Sequence, residues 1–168
     1  PGLVPYVAST EEEARRRKAE LDALLPVQDS LRQLSFFVGQ DTSDWELDAP
    51  VPPLPPLEEF TGPKGRYATV LRILETARPT VRELLGLLAA GGGHATVIGT
   101  PEQVADEIER WVDGGGADGF NLMPPSLPGG IEDFVEHVIP VLQRRGLFRR
   151  DYEHSTLRGH LGLEKPRG

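Results

Sequence analysis

Gly99 and Thr100 lie between a predicted strand and the predicted start of a helix, a position at which backbone amides can bind an anion. They follow a short apolar run at 95–98, and Thr100, Pro101 and Gln103 are typical of the first positions of a helix. The first amides of a helix have no acceptor within it, so they can donate to a phosphate group. The sequence therefore predicts Gly99 and Thr100 as cofactor-binding residues, although helix capping by itself also explains Thr100.

A second candidate site lies at Asn121, Met123 and Pro124, in and just after the apolar run 118–123. Ligand sites of α/β folds are built at the carboxyl ends of strands. Asn121 is polar within an apolar run and needs a hydrogen-bond partner, while Met123 and Pro124 could form an apolar wall. These three residues are the predicted substrate pocket, and core packing is the alternative interpretation.

Other patterns do not support a catalytic or metal site. Gly114, Gly116 and Gly119 have the spacing of a dinucleotide fingerprint, but they follow a helix and precede a strand, the reverse of what phosphate binding requires. The four histidines lack the helical pairing of zinc ligands. Ser126 is not in a nucleophile elbow. No metal is expected, and the catalytic residues stay unassigned.

Three short strands separated by helices must position these residues. The expected strands are 3–8, 95–98 and 118–123, and the expected helices start after Ser9 or Thr10, at Thr100 and near Ile131. Strands joined through helices pair in parallel, which predicts an α/β fold. Pro5 favours an edge position for the first strand, and Pro140 predicts a kink in the last helix.

A long insertion separates the first strand from the second. Residues 26–66 show a degraded pattern with five prolines within 49–57, which predicts an extended loop docked on the surface. A ligand for proline-recognising domains is the other interpretation. Two helices are expected at 66–77 and 80–90, the second ended by Gly91, Gly92 and Gly93. After residue 146 the tail is expected to be polar and extended.

Composition narrows the class of protein. The 168 residues carry a net charge of −8, which opposes binding to nucleic acid and to anionic membrane surfaces. No run approaches the ~18 apolar residues of a membrane span, and no signal peptide is recognisable. The chain contains no cysteine. These features favour a cytoplasmic protein without nucleic-acid or membrane partners.

A family resemblance extends along most of the chain. Residues 99–163, with the segments DGFNLMPP (118–125) and LQRRGLFR (142–149), resemble the C-terminal end of the luciferase-like, FMN-dependent monooxygenases of the nitrilotriacetate monooxygenase component A type. Residues 1–14 look like the family's sixth barrel strand with its helix. The resemblance implies a (β/α)8 TIM barrel that uses reduced FMN, supplied by a separate flavin reductase, and O2 to oxidise a small organic substrate.

The same resemblance implies that this chain is an incomplete barrel. Residues 1–163 would be its C-terminal portion, about three β/α units with the proline-rich insertion 26–66, followed by a tail at 164–168. Most of the FMN site would lie in the missing N-terminal half, so the chain alone is expected to be inactive.

Two rival functions remain open. The first is a non-enzymatic half-barrel module that pairs with another copy or a partner chain through the open edges of its sheet, one of them at residues 3–8. The second is a deazaflavin-dependent oxidoreductase of the same superfamily.

Overall fold

The computed structural model describes residues 1–89 and 93–164. Its strands are β1 (Gly2–Val7), β2 (Ala95–Gly99) and β3 (Asn121–Leu122). Its α-helices are α1 (Glu11–Ala23), α2 (Val27–Val38), α3 (Lys64–Ala77), α4 (Val81–Ala89), α5 (Pro101–Asp113), α6 (Gly129–Asp133), α7 (Ile139–Arg144) and α8 (Leu157–His160), with a π-helical segment, Phe134–Val138, between α6 and α7. None of the helices in this part of the chain is long and apolar enough to cross a membrane.

The three strands form one parallel sheet, as predicted, but in the order β2-β1-β3. β1 lies in the middle and is buried along its whole length. The predicted open edge at residues 3–8 is therefore wrong, and the edges belong to β2 and β3. Three successive barrel strands would place the second between the first and third. The unexpected step is the short connection of residues 100–120, which carries the chain from β2 past β1, so that β3 lies next to β1 instead of next to its predecessor.

β3 has two residues instead of the predicted six, and prolines on both strands keep its ladder from continuing beyond Met123. The amides of Asn121 and Met123 donate to the carbonyl oxygens of Pro1 and Leu3, at 2.9 and 2.8 Å. In this register the next donor would be the amide of Pro125 and its acceptor the carbonyl of Pro5. Neither proline has an N–H, so no further bond of this ladder can form in either direction.

Helix starts agree closely with the sequence. Thr10 caps α1 by accepting from the Glu13 amide at 3.2 Å, and Thr100 caps α5. Gly114 follows the last residue of α5, as expected of a glycine that ends a helix. The expected role of Gly91 and Gly92 lies outside the described residues, and so does the end of the tail, 165–168.

The insertion is more regular than predicted. Its first part forms the amphipathic helix α2, whose buried side chains pack with those of α3 and α4 in one hydrophobic cluster. The proline-rich segment is docked on this cluster, as expected, through Val51, Leu54 and Leu57. The Tyr67 hydroxyl donates to the Pro55 carbonyl at 2.6 Å and fixes the segment over α3.

A second cluster joins the sheet to the helices that follow it. Val7, Val97 and Leu122 from the three strands pack with residues of α5, the π-helical segment and α7. Where a kink was predicted at Pro140, the helix changes its register just before the proline: Ile139 donates to the Phe134 carbonyl, five residues back. The tail is not extended throughout, since it forms the single turn α8.

Candidate functional site

The end of β2 is organised by a complete capping box. The Gln103 amide donates to the Thr100 hydroxyl at 3.3 Å, and the Thr100 amide donates to Gln103 Oε1 at 2.9 Å. A Cβ on Gly99 would lie 2.3 Å from the same Oε1, so the glycine makes room for the Gln103 side chain. Two of the amides predicted to hold an anion are thus already used by the protein.

A carboxylate stands beside this turn. Gln103 Nε2 donates to Glu11 at 2.9 Å, and Arg15 also donates to Glu11. These hydrogen bonds, the one from Gln103 first, hold the pKa of Glu11 below its usual value. An anion at Gly99 and Thr100 would therefore have to displace Gln103 and approach an ionised carboxylate.

The second predicted site lies at the other edge of the sheet. Asn121 is exposed, whereas Met123 and Pro124 are half-buried. Met123 bends back over the start of β1, because a Cβ on Gly2 would meet its sulfur at 2.7 Å and the His94 ring at 2.9 Å. Gly2 therefore allows Met123 and His94 to close over one face of the sheet.

The sequence reasoning missed His94 as part of this face. Leu3 pairs with Ala95 on one side and with Leu122 on the other, so His94, Gly2 and Asn121 stand side by side one position earlier. The signal was the position of His94 directly before β2, but it becomes informative only once the register of the sheet is known. An open cleft of about 450 Å³ adjoins His94 and is lined by Pro63, Lys64, Gly65, Arg66, Thr69 and Gly93.

The two predicted sites do not come together. Gly99 pairs with Val7, whereas Leu122 pairs with Leu3, on the opposite side of β1. Standard strand spacings separate them by ~13 Å along β1 and ~10 Å across it. One small ligand cannot be held by both turns through direct hydrogen bonds.

Arg17 occupies the space beside β1 that β3 leaves empty. Its guanidinium donates to the Val7 carbonyl at 3.0 Å, to Asp133 at 2.8 Å and to Glu13 at 2.9 Å. Two carboxylates compensate its charge, so this arginine fastens α1 and α6 to the end of β1.

The described residues thus provide side chains that could contact a ligand, but they do not form a catalytic group. No nucleophile with a base beside it is present at either strand end among them. An amide, an imidazole and a thioether face one side of the sheet, next to its open edge. This arrangement can bind and orient a flat, partly apolar molecule if further residues enclose it.

No protein-family model matches the chain. Among curated proteins, it is 46% identical over 167 residues to N-acetyl-S-(2-succino)cysteine monooxygenase of Bacillus subtilis (strain 168) and 42% identical over 168 residues to nitrilotriacetate monooxygenase component A of Aminobacter aminovorans. Each alignment covers 99% of this chain but only 38% and 37% of the relative. The chain matches the C-terminal part of the nitrilotriacetate-type, luciferase-like monooxygenases. It spans less than two fifths of the length of these relatives.

Two solved structures agree with the fold. DmoA from Hyphomicrobium sulfonivorans superimposes with a TM-score of 0.73 at 29% identity, over 95% of this chain and 33% of that one. A riboflavin lyase, solved with modified FMN and riboflavin, gives a TM-score of 0.67 at 32% identity, over 97% and 35%. The predicted resemblance and the partial TIM barrel are confirmed.

Proposed function

We propose that this chain forms the C-terminal portion of a two-component, FMN-dependent monooxygenase that oxidises a small organic substrate with reduced FMN and O2. The observation that carries the proposal is the alignment of 99% of the chain with two monooxygenases at 42% and 46% identity. The substrates named for those two relatives differ from each other, so the alignments do not select one for this chain.

The names of the relatives support the two-component arrangement. One is called component A, and a third relative, 44% identical over 171 residues, is named as one of the subunits of pristinamycin IIA synthase from Streptomyces pristinaespiralis. Such names imply at least one other polypeptide, and we infer that it is a flavin reductase. The choice of FMN is supported by the riboflavin lyase, whose structure contains a modified FMN.

The residues at the end of β3 suit one wall of a flavin or substrate site. Half-buried Met123 and Pro124 offer an apolar surface, and the exposed Asn121 amide can both donate and accept hydrogen bonds. When bound, reduced flavin supplies the electrons that activate O2. The chain's own residues would orient the bound molecule and exclude water from it. Gly99 and Thr100 remain the cofactor candidates at the other edge, where binding requires Gln103 to move.

We further propose that the chain by itself does not turn over substrate. Its sheet has two open edges, and the described residues at the strand ends leave the site unenclosed. The assignment of residues 1–163 to the barrel, of 26–66 to the insertion and of 164–168 to a tail remains a prediction. So does the cytoplasmic location expected from the sequence.

The alternative function is a non-enzymatic module that pairs through its sheet. The open edges at β2 and β3 favour it, because unpaired parallel strands present rows of free backbone groups. In that case the chain would associate with itself or a partner strand and contribute nothing to flavin binding.

A chimeric enzyme distinguishes the enzymatic proposal from the non-enzymatic alternative. This chain would replace the aligned C-terminal part of nitrilotriacetate monooxygenase component A, and oxidation would be assayed with a flavin reductase. We expect substrate-dependent product formation. A chimera that folds and oligomerises like its parent but yields no product with any tested substrate, and does not bind FMN, would contradict the enzymatic proposal.

A further inference from the structure

A basic cleft lies between the first turn of α3 and the residues just before β2. Its volume is about 450 Å³, and its lining includes Lys64 and Arg66 from α3 and His94 from the opposite wall. A volume of this size is enough for a small organic molecule. The described residues that line the cleft include no Asp or Glu. Its described walls therefore carry basic side chains and no acidic ones.

The sequence keeps acidic residues away from both walls of this cleft. Residues 60–74 and 84–101 are the two longest stretches without Asp or Glu, although the whole chain has a net charge of −8. These stretches contain the basic residues of the two walls. Glu59, the last acidic residue before the first stretch, lines a different cleft, which shares only Pro63 with the basic one. A cleft with charges of one sign attracts ions of the opposite sign.

Local packing gives the cleft its shape. Gly93 has a φ of +90°, and a Cβ on it would lie 2.5 Å from Cγ2 of Thr69, so the segment before β2 approaches α3 this closely only without a side chain. A Cβ on Gly65, in contrast, would have no atom within 4 Å, so a side chain at that position enters open space. Arg66 is half-buried, and its guanidinium lies 5.6 Å from the centre of the Phe37 ring, which holds this side chain beside the cleft.

His94 connects the cleft with the face formed at the end of β3. A Cβ on Gly2 would lie 2.9 Å from the His94 ring and 2.7 Å from the Met123 sulfur, so the imidazole and the thioether lie side by side over this glycine. The imidazole can donate a hydrogen bond to an anion in the cleft, and the thioether offers an apolar surface next to it. A molecule with one anionic and one apolar part fits these surroundings.

We propose that the basic cleft binds the oxyanion, a carboxylate or a phosphate, of a small organic molecule whose apolar part lies against Met123. Lys64 and Arg66 attract and hold the oxyanion, and His94 donates to it from the other wall. These three side chains, and not the backbone amides at the start of α3, define the site. Lys64 and Arg66 are not among the residues assigned above to flavin or substrate, and the binding does not depend on the enzymatic function.

Binding is measured by NMR titration of the isotope-labelled chain with phenyl phosphate, benzoate and phenol, which share an aromatic ring and differ in charge. We expect both anions to shift the amide signals of Gly65, Thr69 and His94 saturably. Phenol should bind at least about tenfold more weakly than the better anion. The two anions show whether a phosphate or a carboxylate fits the cleft better, and either order of affinity agrees with the proposal.

Two kinds of variant locate the binding. Lys64→Gln/Arg66→Gln should raise the dissociation constant of the better anion about fivefold or more, because two charged donors are lost. Its matched control is Arg72→Gln/Arg78→Gln, which removes two charges farther along α3 and just after it, and which should change this constant less than about twofold. Gly65→Glu adds a carboxylate where a Cβ meets no atom, so it should weaken binding as strongly while both cations remain. Gly65→Gln is its uncharged control.

Far-UV circular dichroism shows whether each variant keeps its fold. The proposal is overturned if neither anion shifts the signals of the cleft saturably, or if phenol binds as tightly as the better anion. It is also overturned if the cleft variant and its matched control lose the same affinity, because the anions then respond only to the overall charge of the chain.

Discussion

Gln103 is the side chain on which the turn after β2 depends. Its Oε1 accepts the Thr100 amide, its Nε2 donates to Glu11, and its position is possible only because residue 99 has no Cβ. The sequence predicted the capping role of Thr100 and Gln103 from their spacing. It could not predict that Glu11, from another helix, would stand beside them, because that contact depends on how α1 packs on β2.

Gly99→Ala should lower the free energy of unfolding by about 1–3 kcal/mol, because the new methyl group displaces the Gln103 side chain and opens the capping box. In a Gln103→Ala background the same substitution should cost less, because only the Cβ of residue 103, 3.0 Å from the new methyl carbon, remains close to it. Urea denaturation of the four proteins of this double-mutant cycle measures the coupling. Equal costs in both backgrounds would contradict the role given to Gln103.

The hydrogen bonds of Glu107 should make the stability of the protein depend on pH. Hydrogen bonds, first from Arg110 and then from Trp111, keep the pKa of this carboxyl below its usual value. Since the folded-state pKa is the lower one, the stabilisation is complete above the unfolded pKa of about 4.3 and is lost as pH falls through the folded value.

Glu107→Gln should therefore be less stable than the unmodified protein at neutral pH, and this difference should shrink on acidification. Denaturation curves at neutral pH and at about pH 3 measure it. Glu75→Gln, at an exposed carboxylate on α3, is the control. Its difference in stability from the unmodified protein should change less between neutral pH and about pH 3. If the difference in stability between Glu107→Gln and the unmodified protein stays constant or grows in acid, the hydrogen bonds from Arg110 and Trp111 do not stabilise this carboxylate.

At the scale of elements, the helix starts were predictable and the sheet order was not. Capping residues act within four positions, so Thr10 and Thr100 could be recognised locally. The placement of β3 next to β1 depends on contacts between residues 2–3 and 121–122, which are far apart in the sequence and leave no local pattern. The missed helix α2 lacks a capping side chain: its N-cap is Pro26, and no cap hydrogen bond is made there.

Arg17 tests how α1 and α6 are held on β1. Arg17→Ala should lower the free energy of unfolding by about 1–3 kcal/mol, because it removes the donor to the buried Val7 carbonyl as well as the link to Asp133. Arg16→Ala is the matched control, since Arg16 lies 3.8–4.0 Å from its acidic neighbours and is exposed. It should cost less than about 0.5 kcal/mol. Equal losses from the two variants, measured by urea denaturation, would show that Arg17 has no special role.

At the scale of the molecule, the resemblance identified from residues 99–163 was confirmed over nearly the whole chain. The separation of the two predicted sites could not be foreseen. Each lies after an apolar run, and both were assigned to strand ends, which in a regular parallel sheet fall at one level. Leu122 pairs with Leu3 and Gly99 with Val7, so the two strand ends lie four residues apart along β1, and Pro5 and Pro125 keep the β3 ladder from reaching the level of Gly99.

The central proposal is that this chain contributes one wall of a flavin site and that other residues are needed to complete it. A titration with reduced FMN under anaerobic conditions tests it, performed on the chain alone and on the chimera with component A. We predict saturable 1:1 binding by the chimera and an affinity at least about 100-fold weaker for the chain alone. Tight stoichiometric binding by the chain alone would contradict the account.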